Sequence, residues 1–198
     1  MRKRNVTELV CILDQSGSMH GKEEAAVRGY NQIIKEQQKR DGEVYVTTAF
    51  FGDQCRVLYC HKSLWRVGEL SRREFCAYGN TALFDAVGEV FDQVDGALSL
   101  LKGDCETKVL VFLITDGMEN ASVRYTSPEI RKRILEKQEE GWEILFLGTC
   151  HPALNWAKEA GIKQETTVRF SDDAKGMEEG YRTAQDWFSK MRDCTIAP

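Results

Sequence analysis

The stretch ILDQSGSMHGKEEA, at residues 12–25, places an aspartate and two serines directly after an apolar run. Asp14, Ser16 and Ser18 stand at alternate positions, so their spacing decides whether they can act together. A fully extended chain would separate Asp14 from Ser18 by about 13 Å, too far for both to hold one small ion. A helix would turn Ser16 away from the other two. The three oxygens can meet only in a curled loop, which Gly17 favours.

Two further oxygen-bearing side chains follow or precede other apolar segments. Asp116 comes shortly after the apolar run 109–114, and Thr81 stands at the start of a long apolar helical stripe. In open α/β sheets the functional crevice lies beyond the carboxyl ends of the strands, so these side chains are expected to converge. Oxygen ligands with few carboxylates suit a hard divalent cation. The sequence therefore predicts one metal site, built from Asp14, Ser16, Ser18, Thr81 and Asp116.

The apolar patterning predicts how these loops are held. Runs at residues 9–13, 109–114 and 144–147 show no alternation, as expected of strands covered on both faces of a parallel sheet. Segments of helical period lie between them. The stretch EVYVTTAFFGDQCRVLYC predicts an antiparallel hairpin at the sheet edge, with its turn at residues 52–54. Along the chain the predicted order is strand, helix, hairpin, helix, strand, helix, strand, helix, strand, helix. This order predicts an α/β fold with a single doubly wound, mostly parallel sheet and helices on both faces. Residues 62–80 are expected to form a loop with at most a short helix.

Length and composition narrow the function classes. The chain has 198 residues, which suits a single domain spanning 1–198. Its net charge of −4 argues against a nucleic-acid partner, since such proteins usually carry a basic excess. No apolar run approaches the roughly 20 residues needed to cross a bilayer, so no membrane contact is expected. Seven cysteines without a C-x-x-C pair favour reduced thiols over disulfides or a zinc site. These features predict a cytoplasmic protein.

The motifs DQSGS, GNTAL and TDG together resemble the metal-ion-dependent adhesion site (MIDAS) of the von Willebrand factor type A (vWA) family. The family pattern is D-x-S-x-S after the first strand, a threonine from a second loop and an aspartate after the fourth strand. Every position of this pattern is matched, and the predicted element order follows the family along nearly the whole chain. The resemblance is greatest to small stand-alone bacterial and phage-type members, which carry segments like TDGMENAS and GWEILFLG.

This resemblance implies a Rossmann-like vWA fold and a bound divalent cation, Mg²⁺ in the first place and Mn²⁺ in the second. In the family the hydroxyls can bind the ion directly, the aspartates often act through water, and a partner's Asp or Glu commonly fills the open position. The implied function is a protein-binding module rather than an enzyme. The alternative is a metal-dependent hydrolase in which the same ion activates water. For that role the sequence offers no evident general base apart from His20 or Glu119.

Residues near the predicted ligands are candidates for supporting roles. Asp85 follows Thr81 by one helical turn, where a carboxylate is favourable in any case, and it is a candidate to orient the ligands. The exposed rim of the site is predicted to include Met19, His20, Glu119 and Asn120.

Competing interpretations of the first loop are weaker. Taken alone, D-x-S-x-S is a weak signal, because Asp, Ser and Gly are ordinary turn formers after any strand. An EF-hand loop starting at Asp14 needs glycine at its sixth position and glutamate at its twelfth, where this chain has Met19 and Ala25. A P-loop needs four residues between its glycines, and GSMHGKE has three. The metal site therefore remains the preferred interpretation.

Overall fold

The computed structural model describes residues 4–194 as an alternating series of strands and helices. The strands are β1 (Arg4–Asp14), β2 (Glu43–Phe51), β3 (Cys55–Ser63), β4 (Cys105–Thr115), β5 (Glu143–Gly148) and β6 (Thr167–Arg169). The helices are α1 (Glu23–Gln38), α2 (Leu83–Ser99), α3 (Ser127–Glu139), α4 (His151–Glu159) and α5 (Ala174–Asp193). The order of these elements along the chain is the predicted one.

The strands form a single sheet in the order β3-β2-β1-β4-β5-β6. Every neighbouring pair is parallel except β2 and β3, which form the antiparallel edge hairpin. Helices α1 and α5 pack against one face, and α2, α3 and α4 cover the other. The predicted α/β class and mostly parallel sheet are confirmed. Because β1 and β4 lie side by side at the centre, their carboxyl ends open into one crevice.

The central strands are apolar without alternation in their C-terminal parts because both faces of the sheet are covered there. In β1, Leu9 and Leu13 pack into the core beneath α1 and α5, whereas Val10 and Ile12 pack into the core beneath α2. All four side chains are buried. Alternate residues thus fill two separate cores, which explains why the strand shows no alternation of apolar and polar residues.

The segment after the hairpin is irregular but anchored. Strand β3 continues to Ser63, so the predicted loop begins two residues later than expected, and a short 3-10 turn covers Leu64–Arg66. Further along, Phe75 is fully buried and meets Phe50 edge to face, with ring centroids 5.3 Å apart. This anchor carries the following residues, including Gly79, back toward the end of β1.

The helix boundaries follow local sequence signals. Thr126 and Glu129 form a capping box at the start of α3, with Pro128 in its first turn. The chain leaves this helix through Gly141, whose φ of +91° suits glycine. Within residues 4–194, no helix is both long and apolar enough to span a membrane.

Candidate metal centre

Hydrogen bonds to Asp14 curl the loop that follows β1. The Asp14 side chain is buried; its Oδ1 accepts the Ser16 backbone N–H at 2.7 Å, and its Oδ2 accepts the Thr115 hydroxyl at 2.5 Å. The curl turns both serine side chains to the same side, so that Ser16 Oγ and Ser18 Oγ lie 3.0 Å apart. The structure therefore brings these oxygens together, as the spacing argument requires.

Three hydroxyls surround one small space beside Gly117. A methyl group on the Gly117 α-carbon would lie 3.1 Å from Thr81 Oγ1, 3.3 Å from Ser18 Oγ and 3.8 Å from Ser16 Oγ. A side chain at this position would crowd the hydroxyls, and glycine leaves the space free. Ser16 and Thr81 are buried while Ser18 is exposed. The hydroxyl cluster is thus open to solvent on the Ser18 side.

Backbone hydrogen bonds fix the position of Thr81. Its N–H donates to the side-chain oxygen of Asn120 at 2.8 Å, and its carbonyl accepts the Asn120 N–H at 3.0 Å. Two residues earlier, the Gly79 carbonyl accepts the Gly17 N–H at 2.9 Å. The threonine loop is thereby tied to both other loops of the site.

Asp116, which follows β4, binds a different group with each of its two oxygens. Oδ1 accepts the Ser18 hydroxyl at 2.5 Å, and Oδ2 pairs with the ammonium of Lys22. Lys22 also pairs with Asp172, from the segment before α5. Burial lowers the pKa of Lys22, but hydrogen bonds and charges of the two aspartates outweigh it, so its pKa is raised. The site thus contains an internal cation.

The donor set fits a hard divalent cation. It consists of hydroxyl and carboxylate oxygens, which Mg²⁺ and Mn²⁺ prefer. Burial raises the pKa of Asp14 to about 6, although hydrogen bonds from Thr115 and Ser16 oppose this rise. A buried carboxylate whose charged form is disfavoured gains from a nearby cation, and Lys22 contacts Asp116 rather than Asp14. In the part of the chain that the structure describes, no cluster of three His, Cys, Asp or Glu side chains suits a metal.

Comparison with known proteins identifies relatives through structure alone. No protein-family model matches the sequence, and no curated protein matches it either. Among solved structures, the vWF domain of the type V pili tip protein Mfa5 from Porphyromonas gingivalis matches with a TM-score of 0.66. That match has 9% identity and covers 100% of this chain and 99% of the other. A von Willebrand factor type A structure from Catenulispora acidiphila matches with a TM-score of 0.56, 16% identity and 93% coverage of this chain, against 42% of the other.

This chain has the von Willebrand factor type A fold. Proximal thread matrix protein 1 from the mussel byssus shares the fold at a TM-score of 0.62 and 12% identity. The match covers 93% of the present chain but 46% of the mussel protein, so the chain spans about half that protein's length. Another structure of the mussel protein, with a TM-score of 0.59, 16% identity and coverage of 92% and 46%, has a zinc-occupied MIDAS motif.

The rim prediction was wrong for Met19. Its side chain is fully buried and belongs to the core beneath α1 and α5. The cause is the 3-10 turn at Gly17–Met19, which leaves Gly17 and Ser18 exposed and points the third residue inward. Met19 therefore anchors the loop of the candidate site from below and does not lie on its exposed rim.

Asp85 and Glu119 bind backbone amides of the segment that follows Asp116. Asp85 Oδ1 accepts the N–H groups of Arg124 and Tyr125, and its Oδ2 accepts that of Val123, each at 2.9 Å. Glu119 accepts four hydrogen bonds: from the N–H groups of Phe84, Ala121 and Ser122 and from the Ser122 hydroxyl. Both carboxylates thus shape the loop rather than contact the predicted ligands, and Glu119 is not a free rim residue.

The exposed surface beside the hydroxyl cluster contains predicted and unpredicted residues. His20 and Asn120 are exposed, as expected of rim residues. Tyr78 and Met118 are also exposed, at 58% and 53%, and sequence reasoning missed both. Tyr78 donates its N–H to the Gln15 carbonyl at 2.9 Å, which places it beside the first loop. The available sequence signal was a large side chain beside each motif: Tyr78 precedes GNTAL, and Met118 follows TDG.

Proposed function

We propose that this vWA chain binds one divalent cation through Asp14, Ser16, Ser18, Thr81 and Asp116 and uses it to capture an acidic side chain of a partner protein. The observation that carries the proposal is the convergence of three hydroxyl oxygens on the space beside Gly117. Mg²⁺ is the preferred ion and Mn²⁺ the second choice, because the small oxygen set leaves room for water in six-coordinate geometry. When bound, such an ion supplies a Lewis-acidic position that a carboxylate can occupy.

The chain's own residues prepare this position. Asp14 holds Ser16 in place through the loop backbone, and Asp116 orients the hydroxyl of Ser18. The hydroxyls carry no formal charge, so the two aspartates alone balance a divalent ion within this ligand set. Because the hydroxyl ligands add no negative charge, the bound ion would still attract an incoming carboxylate.

The surface around the cluster supports a protein as the partner. Tyr78 and Met118 offer exposed side chains with large apolar parts, and Asn120 and His20 offer exposed polar groups. Tyrosine and methionine are enriched in protein–protein interfaces relative to the rest of the surface. Two of the structural relatives are a pili tip protein and a byssus matrix protein, which agrees with an attachment role.

The hydrolase alternative lacks support from either candidate base. The two oxygens of Glu119 already accept four hydrogen bonds, three from its own loop and one from the Phe84 N–H at the start of α2. His20 has a highly exposed side chain, and its Nδ1 lies 3.6 Å from Glu23 Oε1. We therefore favour the binding module over a hydrolase that uses the same ion.

The capture proposal is tested with immobilised protein and a lysate of the source organism. Wild type is expected to retain a partner in Mg²⁺ and to release it when a chelator is added. Thr81→Ala, which removes one hydroxyl of the cluster, should lose the partner. Thr81→Ser is the matched control, because it keeps the hydroxyl and should retain the partner.

Two results would count against this function. One is a partner whose retention is unchanged in chelator, since the ion would then not be part of the contact. The other is equal capture by Thr81→Ala and Thr81→Ser, both folded by circular dichroism. Metal-dependent turnover of phosphate or carboxylate ester substrates by wild type would favour the hydrolase instead.

A further inference from the structure

Lys22 lies at the edge of the proposed metal site and is almost entirely enclosed. Its side chain is 9% exposed, and its ammonium pairs with both Asp116 and Asp172. Asp116 is the residue whose other oxygen accepts the Ser18 hydroxyl. The same carboxylate therefore serves the hydroxyl cluster on one side and a fixed positive charge on the other.

We infer that Lys22 is an internal counter-ion of Asp116 that weakens divalent-cation binding, and that Asp172 accepts the lysine charge when a cation binds. The inference rests on the proposed function, since it concerns the affinity of the same site. A divalent ion in the hydroxyl cluster would share one buried carboxylate, that of Asp116, with the Lys22 ammonium. The two positive charges would repel each other. Lys22 thus raises the concentration of free metal ion at which the site becomes occupied.

Asp172 is placed to take the lysine charge. Its side chain is 62% exposed, in contrast to the fully enclosed side chain of Asp116. The next residue, Asp173, caps α5 by accepting the Gly176 N–H at 2.6 Å, which fixes the backbone beside Asp172. A lysine that already contacts both carboxylates can shift its charge toward the exposed one without a large movement of the chain.

Substitution of Lys22 and substitution of Asp172 should change the affinity for Mg²⁺ in opposite directions. Lys22→Met removes the competing charge, and the dissociation constant for Mg²⁺ should fall at least about tenfold. Asp172→Asn removes the acceptor of the displaced charge, and the dissociation constant should rise about threefold or more. Asp172→Asn leaves the buried Lys22–Asp116 pair intact, so it tests the inference even if Lys22→Met is too unstable to purify.

Matched controls are available in two other ion pairs of the chain. Lys35→Met removes a lysine of α1, which pairs with the exposed Glu69. Asp193→Asn removes another exposed aspartate that pairs with a basic side chain, Arg40. Calorimetric titration of Mg²⁺ and Mn²⁺ into metal-free protein should give both controls the wild-type affinity.

The outcomes separate this inference from the proposed function. Tighter binding by Lys22→Met together with weaker binding by Asp172→Asn supports the competition. Wild-type affinity in both variants overturns the inference but leaves the metal site standing. No binding of either ion by wild type and by every variant overturns the proposed metal site, and the inference with it.

Discussion

Asp116→Ala is expected to lower the free energy of unfolding by about 3 kcal/mol in metal-free buffer. The substitution leaves the enclosed Lys22 ammonium with Asp172 as its remaining partner among the contacts the structure shows, and it leaves the Ser18 hydroxyl without its acceptor. Removing one member of a buried ion pair is costly because the other charge stays enclosed, here with only the exposed carboxylate of Asp172 to compensate it. Urea denaturation in the presence of a chelator measures the change without any contribution from metal.

The double variant Lys22→Met/Asp116→Ala identifies the cause of this loss. Because it removes the stranded charge as well, it should recover most of the stability that Asp116→Ala loses. Asp193→Ala, which breaks the exposed contact with Arg40, is the control and should cost less than about 1 kcal/mol. A double variant no more stable than Asp116→Ala would show that the lysine charge is not the reason.

Asp85→Ala is expected to destabilise the fold by a similar amount, about 3 kcal/mol. One carboxylate in the first turn of α2 accepts three backbone N–H groups, from Val123, Arg124 and Tyr125. Hydrogen bonds to a charged acceptor are stronger than neutral ones, and here one side chain holds a whole segment. Asp95→Ala, in the same helix, loses a contact with Lys137 and should cost less than about 1 kcal/mol.

Proteolysis gives this prediction a local readout. Release of residues 123–125 should speed tryptic cleavage after Arg124 in Asp85→Ala relative to Asp95→Ala. If Asp85→Ala has the same free energy of unfolding and the same cleavage rate as Asp95→Ala, other contacts hold the loop.

The fold was predictable because burial determines which stretches of the sequence are apolar. Strands β1, β4 and β5 are covered on both faces, so they contain the continuously apolar runs 9–13, 109–114 and 144–147, which stand out from amphipathic helices. The hairpin turn at residues 52–54 is marked by Gly52 and Asp53 between two runs of strand-forming residues. The resemblance to the vWA family then assigned the polar residues at the strand ends to one site. One domain over 1–198 and a cytoplasmic location stay predictions.

The details of the site were not predictable, for physical reasons. Whether Met19 faces solvent depends on a single 3-10 turn, which has no periodic sequence signal. Lys22 meets Asp172 across 150 positions of sequence, and a long flexible side chain gives no indication of its partner. Asp85 and Glu119 act on backbone amides, which every residue carries, so their targets leave no mark in the sequence.

Titration of Mg²⁺ into metal-free wild type and into Ser16→Ala/Ser18→Ala, followed by calorimetry, tests the central claim most directly. The double variant removes two of the three converging hydroxyls and leaves both aspartates and Lys22 in place. Ser99→Ala, which removes a hydroxyl at the far end of α2, is the control. The account predicts saturable binding of one ion by wild type and by Ser99→Ala, and no binding by the double variant up to millimolar Mg²⁺. Undiminished binding by the folded double variant, or no binding of Mg²⁺ or Mn²⁺ by wild type, would contradict it.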